Sequence, residues 1–384
     1  MSRANKSGTL IMRLMCAAFF LLFTFTYLLE YQSDILAVTQ HILSHGVTHY
    51  ERHVGAFLIT LVLWLLQIGI YTGTRLSRRG HALTYLPSML FLGILTDVSA
   101  DIYYGHYLGN WLWAFPLIMV VYAFVIWVVR QLEPMELPTS SLGVFSRMTW
   151  INLLQMVVMA LITCGIGCSD QVFHYRMRVE TCIINHDFKD AANVGINSEK
   201  TDSSLTMLRI WTLSEQGKLG DKLFTYPLVG KSDAMLPNGG SVKMMMAPIG
   251  RLHNELGVNF KQKMSPMKYL EMLHKKHYAH PVAHDWLLCA YLLDGKLDKF
   301  VAVLPKYYKL NGNLPQAYRE ALVLYNHLRQ HPYIIFRNAV MDADYDDFVA
   351  LYHNTKNPQE RYSALKDNYG KTYWFYYLQN SKRP

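Results

Sequence analysis

The order of apolar and polar residues divides the chain in two. Up to Ser169 the apolar residues come in long runs, and after Asp170 they recur at helical spacing. Five runs, at 9–29, 54–72, 82–100, 110–129 and 149–168, are each close to the length a helix needs to cross the hydrocarbon, about 20 mostly apolar residues. Lipid offers the backbone no hydrogen-bond partners, so each run is predicted as a helix. The first run follows Arg3, Lys6 and Arg13, as in a signal peptide. It lacks a small-x-small cleavage site and four more runs follow, so it reads as a retained span.

In the second half Leu314, Tyr318, Ala321, Leu322, Tyr325 and Leu328 share one helical face. An internal echo accompanies this rhythm. Glu215–Phe224 resembles Leu293–Phe300, a third copy spans Glu255–Lys261, and a weaker one spans His186–Ala192. Their glycines, Gly217, Gly257 and Gly295, suit helix ends, where the left-handed conformation is needed. Helix–glycine–helix units at this spacing predict an α-solenoid of the tetratricopeptide type. A non-repetitive helical bundle is the competing arrangement. Pro281 and Pro315 mark helix starts and Pro305 a helix end. Residues 226–241 hold two prolines and three glycines and read as a long loop. The aromatic end, Tyr369–Tyr377, is expected to cap the last repeat. The fold class is therefore all-α: multi-pass transmembrane helices in 1–169, then an α-helical repeat domain in 170–384.

Charge follows the same division. Nine of 37 Lys and Arg and seven of 28 Asp and Glu precede Asp170. In the short segments around the spans, eight basic residues (Arg3, Lys6, Arg13, Arg75, Arg78, Arg79, Arg130, Arg147) stand on one side and only Arg52 on the other. Basic flanks stay cytoplasmic, so the N-terminus is expected inside and residues after Cys168 outside. The net charge of +9 is dispersed, with no basic run longer than two. A nucleic-acid partner is not expected; the lipid bilayer and a cell-envelope setting are. There is no Cys-x-x-Cys among the five cysteines. Cys182 and Cys289 are either a disulfide in an oxidising compartment or two buried thiols.

Several clusters are candidates for chemistry. His41, His45, His49 and His53 recur every fourth residue, and on a helix two of them at i and i+4 could share a metal, with Asp34 or Glu30 adding oxygen. Helical drift keeps all four from one ion. The competing reading is an interfacial helix whose histidines meet headgroups and water. His274, His277, His280 and His284, beside Asp285, form a second series interrupted by Pro281. Asp97, near the outer end of the third span, is a candidate because an ionisable group in a span is functional by default; Asp101, Tyr103, Tyr104 and His106 follow it. Glu30, Asp34 and Glu51 are the acids an envelope glycosyltransferase would use at the outer interface. Met244–Met246 is expected to pack within a repeat helix rather than to hold a soft metal. No phosphate loop or nucleophile motif is present in the sequence, and no cofactor is expected.

Three stretches carry a family resemblance: Tyr31-Gln32-Ser33-Asp34 through Thr48-His49-Tyr50, His284-Asp285-Trp286-Leu287-Leu288 through Leu314–Leu322, and Gly370–Tyr377. Together they resemble a family of uncharacterised Bacteroidetes membrane proteins, a domain of unknown function. The resemblance implies an inner-membrane protein with a periplasmic tetratricopeptide-like domain, and implies no activity. The functional expectation is a membrane-anchored scaffold whose helical surface binds a protein or peptide partner. The alternative is an envelope enzyme or transporter component at the outer interface.

Overall fold

The structure is a computed structural model. It describes residues 3–76, 79–100, 102, 109–132, 146–237, 240–260, 262–310 and 313–380, with side chains from residue 9 onward. Among these residues it is all-helical, without a strand, and divides into two compact units, Met1–Met177 and Arg178–Pro384.

The first unit contains α1 (Arg3–Thr26), α2 (Ser33–Leu43), α3 (Arg52–Thr74), α4 (Leu86–Thr96), α5 (Trp111–Leu132) and α6 (Arg147–Ile166). Four helical stretches, Thr9–Tyr31, Arg52–Thr74, Trp111–Leu132 and Arg147–Ile166, are long and apolar enough to cross a membrane. Their outer faces expose Phe57, Val62, Leu117, Phe124, Leu154 and Leu161. Water does not tolerate apolar surface on this scale, and lipid does. By length, composition and exposed surface this is a membrane protein.

The run expected at 82–100 is shorter in the structure. It forms a five-residue 3-10 turn, His81–Tyr85, followed by the eleven residues of α4. Pro87 has no N–H to donate into the preceding turn, which tightens there. At the other end Asp97 leaves helical geometry, with ψ 73°. By helical rise the segment spans roughly 26 Å, against about 30 Å of hydrocarbon.

This segment packs along α1, α3, α5 and α6 through side-chain hydrogen bonds. Gln67 Nε2 donates to Thr84 Oγ1 at 3.0 Å and Ser88 Oγ to the Leu63 carbonyl at 2.9 Å, so α4 is antiparallel to α3. Asn152 Oδ1 accepts from the Ala82 N–H at 2.8 Å, and Thr163 Oγ1 lies 3.2 Å from the Met89 carbonyl, so α6 runs with α4. Met12 meets Asn152 and Tyr27 meets Thr96, so α1 does as well. Trp111 Nε1 reaches Asp97 at 2.6 Å and Tyr122 the Leu83 carbonyl at 3.1 Å, so α5 runs against α4. The helices thus alternate in direction. Arg13, Arg75, Arg79, Arg130 and Arg147 gather at one end, and Glu30, Glu51, Asp97 and Asp170 at the other.

α7 (Gln171–Ile184) leads into the second unit. There follow α8 (Phe188–Asn193), α9 (Ser203–Glu215), α10 (Leu219–Lys222), α11 (Ile249–Leu256), α12 (Pro266–Lys275), α13 (Pro281–Leu293), α14 (Leu297–Val303), α15 (Gln316–Leu328), α16 (Ala339–Asn354), α17 (Pro358–Tyr369) and α18 (Tyr373–Asn380). Trp211, Trp286, Phe300, Tyr318 and Tyr373 fill its core.

Two of the echoed segments share one turn. The Lys218 N–H reaches back to the Leu213 carbonyl and the Gly217 N–H to that of Ser214; Lys296 and Gly295 do the same to Tyr291 and Leu292. Both glycines are left-handed, at φ 63° and 69°. His186 and His277 close α7 and α12 with the same bond pair, at φ 59° each. The intervals between these four residues are uneven. Gly257 belongs to another kind of site: a Cβ there would lie 2.2 Å from the Tyr278 carbonyl oxygen, so close approach of two backbones demands the glycine.

Candidate functional site

Three of the acids singled out in the membrane unit, Glu30, Glu51 and Asp97, make specific bonds. Glu30 pairs with Arg52 at 3.0 Å, and Arg52 Nε donates to the Leu29 carbonyl at 2.8 Å. Glu51 caps α3 by accepting the Val54 N–H at 2.6 Å, and that bond holds its carboxyl below the usual range. Asp97 accepts from the Trp111 indole. Asp34 is half-buried in the first turn of α2. Asp101, Tyr103, Tyr104 and His106 lie outside the described residues.

The first histidine series is not on one helix. His41 ends α2, His45 is left-handed at φ 52°, His49 is in the connecting segment and His53 begins α3. The turn at His45 and Gly46 interrupts the spacing that one helix would have kept. In the second series His274 bonds the Leu270 carbonyl, His277 is the turn residue, His280 precedes α13, and His284 stacks on Tyr307 at 3.9 Å. Burial pushes the His274 and His284 imidazoles down. No group of three or more His, Cys, Asp or Glu side chains takes a metal-holding arrangement among the described residues.

Met244–Met246 is not helical, contrary to expectation. The segment bends around the buried carboxylate of Glu180, which accepts the N–H groups of Met245, Met246 and Ala247 at 3.0, 2.6 and 3.0 Å through Oε2. A carboxylate that gathers successive amides replaces the hydrogen bonds a helix would have made. Cys182 and Cys289 are both buried free thiols, without a disulfide between them.

A cleft of about 1010 Å³ lies in the second unit. One side comes from α8, the 195–199 segment, the Gly217 turn, α10 and the 223–228 stretch; the other comes from α17 and α18. Arg209, buried, stitches the first side by donating to the Gly195 carbonyl at 3.3 Å and to that of Pro227 at 3.2 Å, with its guanidinium over Tyr226. Tyr226 Oη bonds the Ala192 carbonyl at 2.9 Å. The second side is held by Glu320, buried in α15. Its Oε2 accepts the Tyr373 N–H at 2.6 Å, and its carbonyl accepts from Trp374 Nε1 at 2.8 Å. Tyr373 and Tyr376 then bond the last carbonyls of α13, Leu292 and Leu293, at 3.1 and 2.9 Å. Phe224 packs against both rings at 4.9 Å, which joins the two sides.

Lys189, Lys218, Lys222, Lys366 and Lys371 line this cleft, against Glu199 and Asp367. The sequence reading missed it. Its lysines come from positions up to 182 residues apart, between Lys189 and Lys371, so no local pattern signals it. The one partial signal is Lys218 and Lys222, which fall inside the echoed Glu215–Phe224 segment.

Residues 253–380 match a family of unknown function (DUF6057). No curated protein and no solved structure matches the chain. The matched stretch holds α12 to α18, and with them the Lys366 and Lys371 side of the cleft; Lys189, Lys218 and Lys222 precede it. Two of the three resembling stretches, 284–322 and 370–377, fall inside it, and 31–50 falls before it.

Proposed function

We propose that the chain is a membrane-anchored scaffold of the bacterial inner membrane whose C-terminal unit, in the periplasm, holds a protein or peptide partner. The bundle's directions and its arginine-rich end support this orientation, since basic flanks are retained in the cytoplasm. The shared helix-ending turns at Gly217 and Gly295 favour a tetratricopeptide-like arrangement. The cleft is the observation that carries the reading. At about 1010 Å³ it matches the upper range of small-ligand sites, roughly 300–1,000 Å³, and it opens to solvent.

A photo-crosslinking side chain placed at Asn193, in the cleft, should give a discrete protein adduct in growing cells. The same group at Tyr333, 79% exposed and away from the lining, should not. Equal adducts from both positions, or none from either, would contradict a cleft-bound partner. The rival envelope-enzyme reading, drawn from Glu30, Asp34 and Glu51, is tested at Asp34 and at the separate candidate Asp97. Asp34→Asn and Asp97→Asn are silent if the chain is a scaffold, and cause an envelope defect at normal protein level if it is that enzyme.

A further inference from the structure

We propose that the occupant of the cleft is an acidic, extended peptide segment, and that Glu199 stands in for one of its carboxylates while the cleft is empty. This rests on the scaffold reading and names the chemistry of its partner.

Charge is the first ground. Five lysines face two carboxylates in the lining. Among the described residues only Lys366 has a partner, Glu199; the ammonium groups of Lys189, Lys218, Lys222 and Lys371 make no hydrogen bond or ion pair. Four unpaired, exposed positive charges around one concavity repel one another, screened by water but of one sign. An anionic occupant relieves that repulsion.

The lining also discriminates between anions. Among the described residues it contains no arginine. Guanidinium forks suit phosphate, whereas lysine is a mobile point charge that follows carboxylates at variable spacing. Among the described residues the side-chain amides of Asn193, Asn197 and Gln379 are without partners, and each offers a donor and an acceptor, as a peptide main chain requires. Phe224, Tyr226 and Phe375 supply an apolar floor for the intervening side chains.

The Lys366–Glu199 pair supplies the regulatory element. It joins residues 167 positions apart, one from each side of the cleft. Glu199 is 77% exposed, so the pair is weak and an incoming carboxylate competes with it directly.

The test is fluorescence anisotropy with the full-length protein in nanodiscs. The probes are labelled ten-residue peptides: one rich in Glu and Asp, one of Ser and Gln, one rich in Lys. Competitors are polygalacturonate and a single-stranded oligonucleotide. The acidic peptide should bind alone among the three and weaken steeply with salt. K218E/K222E should weaken it at least tenfold, and E199Q should tighten it roughly two- to fivefold by freeing Lys366. Equal binding of the Ser/Gln peptide, without salt dependence, overturns the acidic assignment and leaves the scaffold reading standing. Absence of binding by every peptide, with circular dichroism unchanged, removes both. Preferential displacement by either polymer assigns the cleft to that polymer instead, and a weaker E199Q complex rules out the stand-in role.

Discussion

Glu320 ties the C-terminal aromatic helix to the core. Its carboxylate takes the Tyr373 N–H on one oxygen and the Gln316 amide, at 2.8 Å, on the other. Glu320→Ala leaves that buried N–H unpaired, so loss of about 1–3 kcal/mol is expected, read as a lower thermal midpoint of the second unit. A second carboxylate gives a pH signature. Burial first, and then its bond to Glu255, raise the Glu215 carboxyl above the usual range; Trp211 and Arg251 hold the pair together, at 3.0 and 2.7 Å to Glu255 and 3.2 and 3.3 Å to Glu215. A raised acid binds its proton more tightly folded than unfolded. Its stabilising contribution is present below the unfolded value and is lost as pH rises through the folded one. The difference in melting temperature between Glu215→Gln and the parent should therefore be more positive at pH 7.5 than at pH 5. The reverse order would show that the pair is not desolvated in this way.

At the scale of elements, two glycines separate turn from close approach. Gly295→Ala puts a methyl on a left-handed residue with only Tyr377, 3.6 Å away, nearby; a cost of about 1 kcal/mol is expected. Gly257→Ala drives a methyl into the Tyr278 carbonyl and should cost about 3 kcal/mol or more. Denaturant midpoints of the two variants check the order. The same contrast explains what could be read ahead of the structure. Gly217 and Gly295 are legible because a helix-ending turn is written in a few adjacent residues. Gly257 belongs to the same echo on paper, yet its backbone partner is 21 positions away, at Tyr278. His45 and Glu180 mislead for related reasons. A turn residue need not be glycine, and a buried carboxylate can take the amides that a helix would have used.

For the whole molecule, the apolar runs were enough to read the membrane unit, because lipid imposes them. They overstated one helix. α4 stops at Asp97, where the backbone leaves helical geometry. The cleft was not legible, because its two sides are brought together by Glu320, Phe224 and the tyrosines of α18 rather than by neighbours in sequence.

The alternation of the bundle helices makes the central claim a matter of sidedness. Alkaline phosphatase and a cytosol-dependent fluorescent protein, each fused after Arg79 and after Pro384, report it directly. The account predicts active phosphatase only at Pro384 and fluorescence only at Arg79. Both fusions fluorescing, with phosphatase silent at each, would contradict it and return the cleft and its partner to the cytoplasm.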